Sequence, residues 1–330
     1  MNLQLRSQRL RSRRWLPLTA IAISAAVFSA ACGSTAADDK TDTPTTNSSV
    51  TITHARGEVT VPANPSRVVV LGSGDAQMAS ALGATVVAAV ANPSSADKNW
   101  PGTQPPLNSD VMTLDSVKPN VETIAAARPD IILATTAQQS YVDLYDQLTN
   151  IAPTIIYPTA AFADSGEDLL RLIGKALGKE DQANTLISAA NKEVTDFAAS
   201  NPSLKNSTYA FGQYAGGTLY LLAAKENPST RFLTSLGLQL SPEVAQLAAG
   251  GTANGFVTLA PELFSSLGTA DHILVSTPGD PEGTQFRAVP LVSELGDNLQ
   301  VISTDLAGAL LTANPSSVKY LIDQLQPALA

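Results

Sequence analysis

The chain carries few groups able to make or break covalent bonds. Its two histidines, His54 and His272, stand far apart, and its one cysteine, Cys32, has no second thiol to pair with. Nucleophilic hydrolysis needs a base held beside the nucleophile, and the sequence contains no Gly-x-Ser-x-Gly turn. Direct capture of zinc or manganese needs several histidines and carboxylates converging on one ion, which two distant histidines cannot supply. His54 at the edge of a hairpin and His272 inside a strand read as structural. What remains is the chemistry of recognition. Gly72-Ser73-Gly74-Asp75 places a hydroxyl and a carboxylate on a tight loop, although Ser73 and Asp75 are also natural helix caps. Trp100, the only tryptophan beyond the first 31 residues, sits in a Pro/Gly-rich loop with little core to fill. Gln138, Gln139 and Tyr141 follow an apolar run, Tyr214 stands in Gln213-Tyr214-Ala215-Gly216-Gly217, and Arg231 and Arg287 are two of few arginines. Two exposed acids, Glu122 and Glu262, precede Asp130 and Asp271 by eight and nine residues.

The elements that must position these groups alternate. Thr51–Thr53 and Val59–Val61 read as a hairpin. Arg67–Leu71 is a buried strand, Ala76–Leu82 a helix closed by Gly83, and Thr85–Val90 a strand. Val121–Ala127 is helical, Ile131–Ala134 a strand, Tyr141–Ile151 helical and Thr154–Tyr157 a strand. Strand, helix, strand with short connections predicts a parallel or mostly parallel sheet covered on both faces. Two helical stretches interrupt the alternation: 165–177, with Ser165 and Asp168 at capping-box spacing, and 180–199, apolar at Ala183, Leu186, Ile187, Ala190, Val194 and Phe197. Twenty helical residues span about 30 Å, enough to run along two lobes. Strands at 208–211, 218–222, 273–275 and 299–303, with helices at 229–236 and 316–329, predict a second α/β lobe. In such sheets ligands meet the carboxyl ends of strands, and two facing lobes make a cleft. Gly72-x-Gly74 lacks the third glycine of a dinucleotide fingerprint.

At the N-terminus, five arginines and no acid precede an apolar run, 15–31, that ends in Ala30-Ala31-Cys32-Gly33. Basic region, apolar region and small residues make a secretory signal. The cysteine resembles that of a bacterial lipobox, where the thiol is acylated and becomes the new N-terminus. Ser29 stands where that pattern prefers Leu or Val, so an ordinary signal with an incidental cysteine stays open. The run is too short for a membrane span and holds Pro17. Ser12-Arg13-Arg14-Trp15-Leu16 only faintly resembles a twin-arginine signal. Cleavage leaves fifteen basic against twenty-nine acidic residues, a net charge of −14, which repels nucleic acid phosphate. Residues 33–50 are small, polar and free of aromatics, the composition of a flexible tether.

Three segments carry a resemblance: Arg67-Val-Val-Val-Leu-Gly-Ser-Gly-Asp75 on to Val90, Val121-Glu-Thr-Ile-Ala-Ala-Ala-Arg-Pro-Asp-Ile-Ile-Leu133, and Tyr145-Asp-Gln-Leu-Thr-Asn-Ile-Ala-Pro-Thr154. They resemble the iron-siderophore and cobalamin substrate-binding proteins of ABC importers. The likeness runs from about Ile52 to Ala330, is strongest over 67–157, and weakens after Thr277, where Gly279-Asp280-Pro281-Glu282-Gly283 replaces the usual ending.

That resemblance implies two Rossmann-like α/β lobes joined by a single long α-helix, with the ligand cleft between them. The parts are a lipoprotein signal (1–31), a tether (32–50), an N-terminal lobe (51–160), an interlobe helical segment (161–200) and a C-terminal lobe (201–330). It implies a monomeric, lipid-anchored receptor on the extracytoplasmic face that hands a ferric siderophore to permease subunits. It would need no resident cofactor, bind no nucleic acid and touch the membrane only through its lipid. The stiff helix would permit only small closure. In this family one glutamate per lobe docks onto the permease, which implies Glu122 and Glu262; a helix-start glutamate favoured by the macrodipole is the other reading, and for Glu262 the two are evenly balanced. Cleft contacts would come from Ser73, Asp75, Trp100, Gln138, Tyr141, Tyr214, Arg231 and Arg287, the arginines balancing an anionic chelate and the aromatics covering its apolar faces. Arg231 could equally cap or pair on its own helix. Haem or cobalamin is the alternative cargo, and a secreted hydrolase using cleft carboxylates such as Asp75 is the alternative of another class.

Overall fold

The computed structural model describes residues 49–252 and 255–329. The signal, Cys32 and the tether as far as residue 48 lie outside the described residues. The hairpin forms where its β-branched residues predict, as β1 (Ser49–His54) and β2 (Gly57–Pro62). Val50 stands opposite Val61, so the last two residues assigned to the tether are strand.

The first lobe is a five-stranded, wholly parallel sheet in the order β5-β4-β3-β6-β7. Its strands are β3 (Val68–Val70), β4 (Val86–Val90), β5 (Met112–Leu114), β6 (Ile131–Ala134) and β7 (Thr154–Ile156). Helices α1 (Ser73–Ala81), α2 (Val121–Ala126), α3 (Gln139–Val142) and α4 (Tyr145–Thr149) connect them. Successive side chains of a strand point to opposite faces, and here both faces are covered. Val68, Val70, Ile131 and Leu133 pack with Ala76 and Ala79 of α1 and with Ile52 and Val61 of the hairpin. Val69, Ile132 and Ala134 pack on the other side with Ile124, Tyr141 and Leu148. The single helix expected over 141–151 is two short ones, because Leu144 (φ −91°, ψ 10°) leaves helical geometry between them.

Ser165 caps α5 (Gly166–Ala176) as its spacing predicts: its hydroxyl accepts from Asp168 N at 3.1 Å and donates to Asp168 Oδ2 at 2.6 Å. Helix α6 (Glu180–Ser200) follows, 21 residues long. Its apolar stripe serves two cores in turn. Ala183 and Ile187 are buried in the first lobe, Ala190 and Phe197 in the second. One rigid element shared by two cores fixes their spacing.

The second lobe is also mostly parallel, but with one strand reversed. Its strands are β8 (Thr208–Ala215), β9 (Thr218–Leu222), β10 (Gln239–Leu240), β11 (Phe256–Leu259), β12 (His272–Ser276) and β13 (Leu299–Ile302). The order is β11-β9-β8-β12-β13, with β10 beside the start of β8. β10, β12 and β13 run parallel to β8, whereas β9, the reversed strand, pairs antiparallel with both β8 and β11. Gly216 and Gly217, both at positive φ, make the β8–β9 turn without side-chain strain. Helices α7 (Pro228–Ser235), α8 (Pro242–Ala249), α9 (Thr284–Arg287), α10 (Thr304–Leu311) and α11 (Val318–Leu329) complete the lobe. No described helix is long and apolar enough to cross a membrane.

Candidate functional site

The two sheets present their carboxyl ends to each other, and a polar seam joins them. Ser73, in the first turn of α1, lies 3.3 Å from Thr312 Oγ1 at the end of α10. Asn92, after β4, reaches Asp305 Oδ1 at 3.4 Å, and Asn227 Nδ2 donates to the carbonyl of Phe162 at 3.4 Å. Deepest is an amide relay. Asn314 Nδ2 donates to Gln77 Oε1 and Gln77 Nε2 donates to Pro101 O, each at 2.5 Å, with both side chains buried. Asn314 also caps the 315–317 turn, accepting from Ser316 N at 3.0 Å, so the relay ends on a fixed group. A cavity of about 10 Å³ remains at the seam, lined by Thr135, Thr136, Tyr157, Phe162, Leu311 and Thr312. That is room for about one water. The floor between the lobes is therefore closed, and closed mainly by hydrogen bonds.

Close approach at this floor depends on glycine. A Cβ on Gly72 would lie 2.4 Å from the Thr136 carbonyl carbon, and one on Gly166 would lie 2.3 Å from Ala313 O. The first glycine lets the β3–α1 loop cross the β6–α3 loop. The second lets α5 of one lobe meet the chain of the other.

Several expected ligand contacts prove to be structural. Asp75 has no exposed surface. Its carboxylate accepts from Thr135 N (3.1 Å), Thr135 Oγ1 (2.5 Å) and Thr136 N (3.2 Å), and its own N–H donates to Thr136 Oγ1 (3.0 Å). Burial, only partly offset by these donors, raises its carboxyl above the usual range. It staples two loops together and offers nothing to a ligand, which also removes the hydrolase reading built on it. Neither it nor Ser73 caps α1, since the N-cap is Gly72. Tyr141 is buried, and its hydroxyl donates to Asp115 O at 2.5 Å; burial, with the nearby Asp115 charge, pushes its pKa up to about 12. Trp100 packs against both cores of the first lobe, and its indole N–H donates to Val90 O at 2.7 Å. The loop does have a core to fill, because it folds over the end of β4. Tyr214 lies within β8 rather than on a turn, with its ring 4.7 Å from that of Phe286 and 6.2 Å from that of Phe264. Arg231 donates from Nε to Glu226 O at 3.0 Å and borders a 340 Å³ groove with Glu167 and Asn191 of α5 and α6. Of the two readings of this arginine, pairing at its own helix is the observed one.

Ser73, Gln138 and Arg287 remain beside the seam or on exposed surface at the carboxyl ends of strands. Gln138 stands at the N-cap of α3 with its side chain making no cap bond. Arg287 closes α9, the short helix after β12. Phe162 went unread in the sequence. It is 44% exposed, holds a left-handed backbone (φ +58°) and sits on the loop between β7 and α5 where the lobes meet. A bulky residue rarely adopts that backbone. The available signal was a single large aromatic in an otherwise small-residue stretch, 158–166.

Glu122 lies exposed in the first turn of α2, whose N-cap Asn120 accepts from Thr123 N at 2.9 Å. Glu262 is also exposed, in the first turn of the helical segment Pro261–Thr269, which is a 3-10 helix. His54 accepts from Arg56 N at Nδ1 (3.2 Å) and packs edge-on against Tyr145, and burial lowers its pKa. His272 is half-buried in β12, its pKa likewise lowered by burial. Among the described residues no group of three or more His, Cys, Asp or Glu side chains converges as a metal site.

The family model for the periplasmic binding proteins matches residues 68–277 of the 330. The chain belongs to that family. A probable siderophore-binding lipoprotein of Bacillus subtilis is 28% identical over 212 residues. That alignment covers 62% of this chain and 62% of the relative, so the chain matches somewhat under two thirds of the relative's length. Among solved structures, a periplasmic solute binding protein of Mycobacterium smegmatis is 28% identical with a TM-score of 0.70, over 85% of this chain and 97% of that one. The PiaA protein of Streptococcus pneumoniae in complex with ferrichrome has a TM-score of 0.69 at 22% identity, over 85% and 97% of the two chains. This periplasmic binding protein thus has the fold that the resemblance implied: two α/β lobes joined by one long helix.

Proposed function

We propose that this periplasmic binding protein is the receptor of an ABC importer, that it captures a ferric siderophore between its lobes, and that it does no covalent chemistry. The observation that carries the reading is the seam. Two opposed sets of strand ends are held together by Ser73–Thr312, Asn92–Asp305 and the Asn314–Gln77–Pro101 relay, which leaves the loops around them to receive a preformed complex. Ser73, Gln138, Arg287 and Phe162 are the groups proposed to touch it. The relationship to a siderophore-binding lipoprotein supports the choice of cargo. In this reading Cys32 is acylated and residues 33–48 tether the body, a monomer, to the outer face of the membrane. The lobes run from about 51 to 160 and from 201 to 330, joined by 161–200. Glu122 and Glu262, exposed and one on each lobe, are the proposed permease contacts, since exposed charges set orientation and encounter rate for a partner that must bind and release.

Titration of tryptophan fluorescence with ferric siderophores, haem and cobalamin tests the cargo. Quenching by a ferric chelate at submicromolar concentration is expected, whereas a response to haem or cobalamin alone would overturn it.

A further inference from the structure

The loops around the seam are short of positive charge. Those linked directly across it, or lying at the neighbouring strand ends, are 91–99, 157–164, 223–227, 277–287 and 303–305. They carry six carboxylates: Asp97, Asp164, Glu226, Asp280, Glu282 and Asp305. Against these stand three cations, Lys98, Lys225 and Arg287. Outside these loops, Lys118 follows β5 next to Asp115, which accepts from its N–H, Arg56 lies over the Tyr145 ring, and Arg231 is turned to Glu226 O and the groove beside α5 and α6. The floor itself is made of neutral hydroxyls and amides. At the mouth stands the exposed ring of Phe162. The whole chain has a net charge of −9, so the long-range field adds to the local one.

A site of this kind disfavours a polyanion. Moving one into it would need countercharges that the loops do not present, and each uncompensated charge taken out of water opposes binding. It suits a cargo that presents little net charge together with apolar surface. Resting on the reading of the seam as a ferric-chelate site, we propose that the protein selects chelates whose net charge is near zero or positive, the ferric trihydroxamate class, over tris-catecholates and carboxylate chelates. Three hydroxamates each bring one negative charge and cancel that of Fe³⁺, whereas three catecholates bring two each and leave the complex strongly anionic. No bond is made or broken in the capture.

The test is a competition by fluorescence titration of the purified protein with a neutral ferric trihydroxamate, a ferric tris-catecholate and ferric citrate. The trihydroxamate is expected to bind tighter by tenfold or more (on the order of one charge interaction), with little change in its Kd between about 0.05 and about 0.5 M salt. In a Glu226→Lys variant, catecholate binding should strengthen several-fold while trihydroxamate binding stays level. Tighter binding of the tris-catecholate or of citrate overturns the charge selection and leaves the ferric-chelate reading standing. Failure of all three ferric chelates to bind overturns both.

Discussion

The two lobes anchor their central strands by the same device and then diverge at the edge. Asp130, just before β6, accepts from Ser66 N (2.8 Å), Ser66 Oγ (2.8 Å) and Arg67 N (3.0 Å) at the start of β3. Asp271, just before β12, accepts from Thr208 N (2.7 Å) and Thr208 Oγ1 (2.9 Å) at the start of β8. In each case a carboxylate beyond the helical segment that carries Glu122 or Glu262 in its first turn locks two neighbouring parallel strands in register. Partial burial pushes Asp130 up, but its donors outweigh this and hold it below the usual range; Thr208 does the same for Asp271. Beyond that anchor the first lobe adds parallel strands by crossover, while the second turns back at once through Gly216-Gly217 and packs Tyr214 on Phe264 and Phe286. The lesson is that register is set at the amino ends, and the carboxyl ends facing the seam are free to differ.

Five substitutions, one of them read through a titration, probe that comparison. Phe286→Ala removes a ring with no exposed surface that packs with Phe264 and Tyr214, and should cost about 3–5 kcal/mol in urea unfolding. A loss under about 1 kcal/mol would mean that the hairpin edge does not depend on this trio. Gly72→Ala drives a methyl into the Thr136 backbone and should cost about 1–3 kcal/mol while detaching the Asp75 staple; unchanged stability would contradict the close crossing of the two loops. Asp130→Ala should destabilise by about 1–3 kcal/mol through three lost bonds, and Asp271→Ala by less, near 1 kcal/mol, because it loses two at a more exposed place. Equal losses, or the reverse order, would break the parallel between the two lobes.

The titration concerns His54. Burial lowers its pKa in the folded chain from an ordinary value near 6.5, so the unfolded chain binds the proton first. Stability should therefore be fully present above about pH 6.5 and fall as pH drops toward the folded value. Asp130 and Asp271, whose pKa values are also depressed, add a further loss only at lower pH, through the acid limb of the carboxylate range. His54→Gln should reduce the slope of the upper part of the profile, leaving the share due to His272, whose pKa burial also lowers, and keep the lower part intact; an unchanged slope between pH 6.5 and 5 would count against the burial argument.

Much of this fold was legible. β-branched runs marked β3, β4, β6 and β7, and the Ser165–Asp168 spacing and the stripe from Ala183 to Phe197 gave α5 and α6. The strands missed, β5, β10 and β11, span two to four residues each and lack an apolar run long enough to stand out from a loop. The site was less legible because residue type does not report burial. Asp75 and Tyr141 have the chemistry of ligand contacts, but their partners, Thr135, Thr136 and the Asp115 carbonyl, lie on other loops, and no spacing rule links them. Trp100 is opaque for the same reason, since nothing in a Pro/Gly-rich segment reports that it folds over a core. Arg231 and Phe162 were settled by which side of a loop faces the other lobe, and only tertiary contact decides that.

The Asn314–Gln77–Pro101 relay has one more implication. Each amide spends its donor and its acceptor in a fixed sense, in a place that water does not reach, so the halves can neither slide nor rock without rupturing the chain of dipoles. A two-lobed body bolted in this way behaves as a rigid cup and not as a jaw. Opening such a cup then takes a force applied at its rim.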